Sequence, residues 1–491
     1  MIFFRKILFY LFLAIYFTVT PLLIFYALGY RFDLKGSEGI VKTGAFSVNT
    51  IPEGADIQVN GKKISQKTPS VVLNLRDGDY EVRIEKENYQ PWLGKVHVQP
   101  ERAVVAEKII LIPVKINPET AVTGRMKRAV FFKESALVIL LLENEKFSSL
   151  SVFDINRSAQ VKSGSTVQPE WLDADVAEIY TSEESSLFWI RLEGSGPDRM
   201  IRGRVRFGVL EYEDYSGLFL NRPDDLQWDP NAENKVYVLR DKELSLVDLD
   251  RGRSRTIRQS LQGFRVYKQR LFISSAKGVF RCDNDGRHPR NLLDDPVLTG
   301  QLFEGREQLR IGVYAGGNLL FYDPEGALFS NRLPYWIGRK FIRGYAFDPV
   351  KSQAAIWTSG KIGVLDFSRD SFLKEEAFER KLKKRWIYEN GSDIHRVIWA
   401  VDGTQLFFQD GKHVYLLEAA RGLGSSPRFL VDAASEFPIA FSETQGGLFY
   451  VDTSEKNLMF LKLVPKREIL SDAFAKAGLR EETLLLAGGE K

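Results

Sequence analysis

GAFSVNTIPEGADIQVNGKKI, residues 44–64, reads as a strand, a hard turn, a second strand and a tight turn. In Ile51-Pro52-Glu53-Gly54 the proline at the second position and the glycine at the fourth predict a type I turn. Asn60-Gly61 predicts a two-residue hairpin, because a type I′ turn needs positive φ at both central residues. Apolar residues alternate around these turns: Phe46 and Val48, Ile57 and Val59, then Leu73 and Leu75. Tyr80, Val82, Ile84, Val96 and Val98 continue the pattern, and Asp77-Gly78 supplies another turn. A period of two marks antiparallel strands with one buried face. About six or seven such strands in this short span predict a small Ig-like β-sandwich.

Pro52-Glu53-Gly54-Ala55, the Asn-Gly hairpin, Thr68-Pro69, DGDYEVRI from Asp77 and NYQPW ending at Trp92 carry a family pattern. Residues 44–112 resemble the PEGA domain of bacterial surface proteins. That family usually has glycine before the tyrosine matched by Tyr89; here the residue is Asn88, the next best at positive φ. The glycine often found before Thr-Pro is Lys67 here. The resemblance implies no catalytic residues and a role in extracytoplasmic binding, with envelope polysaccharide as a candidate ligand. Tyr89 and Trp92 are candidates for stacking on a sugar; closing the sandwich core is the competing role.

From about residue 125 a looser pattern recurs. LQWDPNAENKVYVLRDKELSLVDLDRGR from Leu226, YAFDPVKSQAAIWTSGKIGVLDFSRD from Tyr345 and VIWAVDGTQLFFQDGKHVYLLEAARG from Val397 are its clearest copies. The spacing of roughly 44 residues lies in the range of propeller blades. Each unit offers three or four short strands, which bury both faces only when packed radially. Trp228-Asp229-Pro230, Phe347-Asp348-Pro349 and Trp399-Ala400-Val401-Asp402-Gly403 resemble the turn of WD-type and TolB-like repeats. The expectation is an all-β chain whose second module is a seven- or eight-bladed β-propeller, with a parallel-β solenoid as the rival.

Residues 7–29 are uncharged and follow Arg5 and Lys6. About 23 residues at 1.5 Å each cover roughly 34 Å, which predicts a transmembrane signal anchor with the basic end inside. A cleaved signal ending near Ala27-Leu28-Gly29 is the alternative. The predicted organisation is an anchor over 1–30, a juxtamembrane linker over 31–43, the sandwich over 44–112 and a linker over 113–124. The propeller follows over 125–466 and a helix or tail over 467–491. Localisation at the plasma membrane, single-pass, with residues 30–491 extracytoplasmic, follows from the anchor.

Sixty-eight basic residues against 64 acidic give no global nucleic-acid footprint. One cysteine, Cys282, and four scattered histidines leave no disulfide framework and no zinc spacing. No nucleophile elbow, phosphate loop or dinucleotide fingerprint is present. The expectation is therefore a chain with no enzymatic activity and no cofactor. Two basic stretches stand out as candidate contacts for an anionic ligand. Arg202, Arg204 and Arg206 share one face of a strand by the period of two, and Arg380, Lys381, Lys383, Lys384 and Arg385 form a nearly continuous positive run. Nearby glutamates make a solvated, balanced face the competing reading. Together these features predict a membrane-anchored binding or scaffold protein of the bacterial envelope, with a spacer or polysaccharide-binding module and a propeller as interaction platform. Its partners would be the membrane, envelope polysaccharide or an envelope protein. An extracytoplasmic propeller enzyme acting on envelope polysaccharide or peptide is the alternative.

Overall fold

A computed structural model describes residues 2–464 apart from 28–29, 33–39, 133–135, 144–147, 164–174, 182–186, 194–197, 208, 220, 294–295, 304, 315–317, 332–335, 349–351, 368–382 and 401–402. The segment 467–491, expected as a helix or tail, lies outside the described residues.

The chain starts with α1, Ile2–Ala27, which contains Pro21. Among the described residues no helix is long and apolar enough to cross a membrane. This overturns the single-pass anchor and the plasma-membrane, extracytoplasmic placement that depended on it. The range 31–43 is not only a linker either, because β1 (Tyr30–Phe32) and β2 (Ile40–Lys42) pair antiparallel.

The alternating sequence that follows folds into the expected two-layer sandwich, except that Leu73 turns outward, 61% exposed, and its neighbour Val72 is the residue buried in the core. Its strands are β3 (Gly44–Ile51), β4 (Asp56–Val59), β5 (Lys62–Lys67), β6 (Ser70–Leu75), β7 (Gly78–Glu85), β8 (Trp92–Val98) and β9 (Ala103–Ile110). One sheet has the order β6-β3-β9; β4, β5, β7 and β8 belong to the other. Phe46, Val48, Ile57, Val82, Ile84, Val96 and Val98 point inward and are buried. Asn60 and Gly61 lie at φ 48° and 75°, and Asn88 at 67°, so the asparagine does take the conformation a glycine would favour. The first turn differs from expectation. Ile51 O accepts from Leu111 N at 2.8 Å, and Gly54 N donates to Thr68 O at 2.7 Å. That loop is held by its neighbours and not by its own turn bond. Lys67 ends β5 as extended backbone, so no glycine is required there.

Eight further sheets among the described residues are propeller blades, which resolves the seven-or-eight alternative. Their innermost strands are Met126–Phe131, Asp175–Thr181, Asp225–Asp229, Leu261–Tyr267, Arg310–Tyr314, Gly344–Phe347, Ile394–Trp399 and Ala440–Ser442. Those of blades three, six and seven carry Trp228, Phe347 and Trp399 of the three clearest repeat copies. An eight-residue helix, α2 (Pro296–Phe303), sits between blades four and five and buries Leu302 and Phe303. Each blade buries its faces against its two neighbours, so the apolar core is a ring of inter-blade layers. Trp399 shows how a repeat residue ties blades together, donating from Nε1 to Ala346 O at 2.9 Å.

The ring closes through the segment expected to be a linker. Within 113–124, β10 (Glu119–Val122) pairs antiparallel with Leu458–Lys462 and becomes the outer strand of the eighth blade. A strand from the front of the chain thereby covers the edge that the last blade would expose. A second exchange runs the other way. Between the last two strands of blade seven, Leu423–Ser425 leaves the propeller and pairs antiparallel with β8. The second sandwich sheet therefore reads Leu423–Ser425, β8, β7, β4, β5, and Leu423 is buried in the sandwich core.

Candidate functional site

The outward face of that five-stranded sheet is built from cross-strand rows. Gln58, Arg83 and Leu93 stand opposite one another on β4, β7 and β8; Glu81, Lys95 and Gly424 form the next row; Asp79 and His97 form the third. Alternation along each strand places these side chains outside while Val82, Trp92 and Val96 fill the core. The face borders a groove of about 630 Å³ lined by Gln58, Glu81, Arg83, Leu93 and Lys95, with Gly424 and Ser426 contributed by the propeller. Leu93 is 57% exposed and gives the groove an apolar patch among polar neighbours. Gln58 Nε2 donates to Glu85 at 3.2 Å and Arg83 Nε donates to Glu85 at 2.7 Å, so both side chains are held in place by the last residue of β7.

Past Lys95 the groove continues into a pocket of about 290 Å³ lined by Asp79, Lys95, His97, Arg385 and residues 422–424. His97 Nδ1 lies 2.8 Å from Asp79 Oδ1. Arg385 donates through Nη2 to Ala419 O at 2.6 Å and through Nη1 to Ala420 O at 3.4 Å. Burial pulls its guanidinium pKa below the ordinary value, and the like charge of Arg421 acts in the same direction. Gly422, at φ 76°, sits where the chain turns out toward β8, and its carbonyl accepts from His97 N at 3.0 Å.

Beneath the sheet lies a buried polar cluster that no local pattern announced. Glu418 accepts from Trp92 Nε1 at 3.1 Å, from Gln405 Nε2 at 2.9 and 2.8 Å, and from Arg428 Nη2 at 2.8 Å. Arg428 Nη1 donates to Ile110 O at 2.7 Å. Burial lowers the Arg428 pKa, and Glu418 opposes that shift. Gly94 is required above this cluster, because a Cβ there would stand 2.1 Å from the Trp92 ring. Trp92 lies 326 positions from Glu418 and Ile110 lies 318 from Arg428, so only the individual polarity of these residues was readable in the sequence.

The sequence candidates divide accordingly. Trp92 is fully buried, which leaves no ring face for a sugar, and Tyr89 packs half-buried against the same core. Arg202 and Arg204 stand directly opposite Glu213 and Glu211 on the adjacent strand and form ion pairs with them. Arg202 also lies 5.0 Å over the Tyr215 ring, so this stripe is an internally balanced face. Arg206 stacks beside the exposed Phe207 at 5.6 Å. Arg380 and Lys381 lie outside the described residues, and Lys383 is described only as the first residue of its strand. Lys384 donates to Ile337 O at 3.1 Å, away from the pocket. Of the basic run, Arg385 alone among the described residues lines the junction pocket.

The central channel carries a different arrangement. On the innermost strand of blade three, Asp225 accepts from Gln227 Nε2 at 3.0 Å and from Leu226 N at 2.8 Å, and burial raises its pKa. Gln227 bonds onward to Phe264 O and Val266 N of blade four, which makes the pair an inter-blade staple. Among the described residues no group of three or more His, Cys, Asp or Glu is placed to hold a metal ion.

Residues 43–109 match the family model described as the PEGA domain. No curated protein matches the chain. Similar solved structures include the β-propeller domain of Cps50 (Swd1) from Myceliophteria thermophila, at 11% identity and TM-score 0.42, covering 71% of this chain and 100% of that one. A eukaryotic initiation factor matches at 12% identity and TM-score 0.42, covering 74% and 87%. PorZ, a bacterial surface component of the type-IX secretion system of Porphyromonas gingivalis, matches at 14% identity and TM-score 0.31, covering 68% and 42%. The sandwich at the front of the chain is a PEGA domain, and it is joined to a β-propeller with eight blades among the described residues.

Proposed function

We propose that this protein is a non-enzymatic binding scaffold whose PEGA domain takes an extended polysaccharide in the groove along its five-stranded sheet. The observation that carries this reading is the shared strand: Leu423–Ser425 completes the PEGA sheet, so one wall of the groove belongs to the propeller. A ligand lying there touches both modules and fixes their common orientation to it. The groove's chemistry suits a polyhydroxylated chain, since Gln58, Glu81, Arg83 and Lys95 offer donors and acceptors beside the apolar Leu93. The propeller, held rigidly to this sheet, is then a platform for a protein partner. The test is binding of the full chain to a panel of soluble polysaccharides, compared with Leu93→Arg and Glu81→Ala. Retained binding by the parent chain and a loss of about tenfold in either variant is the expected result. A chain that binds no polysaccharide, or binds one equally well in both variants, rules the groove out.

A further inference from the structure

Two of the three arginines that the sequence singled out on blade two, Arg202 and Arg204, are already matched by carboxylates, whereas the pocket at the PEGA–propeller junction is lined by two cations. Lys95 and Arg385 line it, and neither closes an ion pair among the described residues. Lys95 does face Glu81 across the ladder, and Glu81 belongs to the neighbouring groove. The carboxylate that lines the pocket itself, Asp79, is engaged by His97. Arg385 is only half-exposed, and its two bonds to the carbonyls of Ala419 and Ala420 fix the plane of its fork. Arg421 adds a second guanidinium close enough for its charge to be felt at Arg385, and the Asp366 carboxylate acts in the opposite direction. A partly desolvated, oriented guanidinium beside an ammonium and another like charge is stabilised by an oxyanion, which accepts two parallel bonds from such a fork. The peptide backbone of residues 422–424 forms the remaining wall, and its two glycines let a ligand approach the chain closely.

We propose that this pocket binds an oxyanion substituent, a carboxylate or a phosphate, carried by an anionic polysaccharide lying in the adjoining groove. The inference rests on the polysaccharide reading for the polymer and on the pocket alone for the anion. Lys95 and Gly424 line both cavities, so the pocket and groove are continuous and a charged substituent reaches Arg385 while the sugar backbone follows the sheet. Arg385 then acts as the specificity element that separates charged from neutral chains.

Isothermal titration of the full chain with four kinds of probe tests this. The probes are an oligogalacturonate, a phosphorylated malto-oligosaccharide of matched length, the neutral malto-oligosaccharide, and the small anions glucuronate and inorganic phosphate. Tighter binding of at least one charged oligomer, by about tenfold over the neutral one, is expected. Lys95→Gln and Arg385→Gln should each remove that advantage, and Arg385→Lys should restore only part of it. Lys95 is exposed, so its variant separates lost binding from lost folding. The two charged oligomers decide between carboxylate and phosphate. Equal binding of charged and neutral oligomers, or charged binding untouched by both variants, overturns the anion pocket and leaves the groove standing. Binding of glucuronate or phosphate that Lys95→Gln abolishes, with no oligomer bound, keeps the pocket and ends the polymer reading. Binding of no probe ends both.

Discussion

Glu418 accepts hydrogen bonds from side chains of three separate elements, and its ion pair with Arg428 lies almost wholly out of solvent, with side-chain exposures of 2% and 13%. A buried pair gains little over a well-packed apolar substitute, yet removing one member leaves the other charge stranded. Glu418→Gln should therefore lower the unfolding free energy by about 3–5 kcal/mol, read from urea denaturation. The new amide would also turn a donor toward one of the donors it now accepts from. Lys361→Gln breaks an exposed pair with Glu389 and serves as the control, with an expected change of about 0–1 kcal/mol. Similar small effects in the two variants would show that the cluster does not hold the junction. Trp92 belongs to this argument as much as Glu418 does. Its aromatic ring suggested a sugar platform, and its burial with a bonded indole N–H makes it a core residue that also spans two modules.

Two short strands trade places between modules, and each covers an edge or face that the other module would leave open. For Leu423–Ser425 the contribution is the side chain of Leu423, 5% exposed within the sandwich core. Full burial of a leucine contributes about 1.5–3 kcal/mol. Leu423→Asp should place a charge where no partner lies and release this strand from β8. The expected result is faster amide exchange at Lys95 and His97, with the strand Gln405–Asp410 of blade seven still protected. Exchange rising equally in blade seven would mean that the excursion supports the propeller itself, and unchanged exchange in β8 would mean that the pairing is not held in solution.

At the scale of the whole chain, the two modules share their cores. Ile110 and Ile112 leave the sandwich to pack with Phe407, Leu416 and Leu448, between blades seven and eight. Deleting residues 1–115 keeps β10 and the closed ring, and removes the cover from Leu423, Arg428 and that apolar layer. The truncated chain should stay monomeric and melt about 10 °C or more below the full chain by scanning calorimetry. Extending the deletion through residue 123 removes β10 as well and should cause aggregation by exposing the Leu458–Lys462 edge. Equal melting of the full and 1–115-deleted chains would show two independent modules. A soluble, cooperative 1–123 deletion would show that closure by β10 is dispensable.

Local patterns in the sequence determined what short-range forces control. The period of two set the sandwich faces, Asn60-Gly61 set a hairpin whose φ values match, and the recurring inner-strand positions marked the blades. Each depends on residues that are neighbours in the chain, so backbone sterics and alternation suffice to read them. The apolar run at the front illustrates the limit of such reading, because composition suggested a spanning helix that the described structure does not support. Only tertiary structure decided which residues meet. It paired Arg202 and Arg204 with Glu213 and Glu211 and left Arg385 facing a pocket, although all three read alike as members of basic stretches. It also turned a supposed linker into the closing strand and brought Trp92 to Glu418 across more than 300 residues. The physical reason is that burial, register and charge compensation depend on partners distant in sequence, and the packing of one module against another selects them.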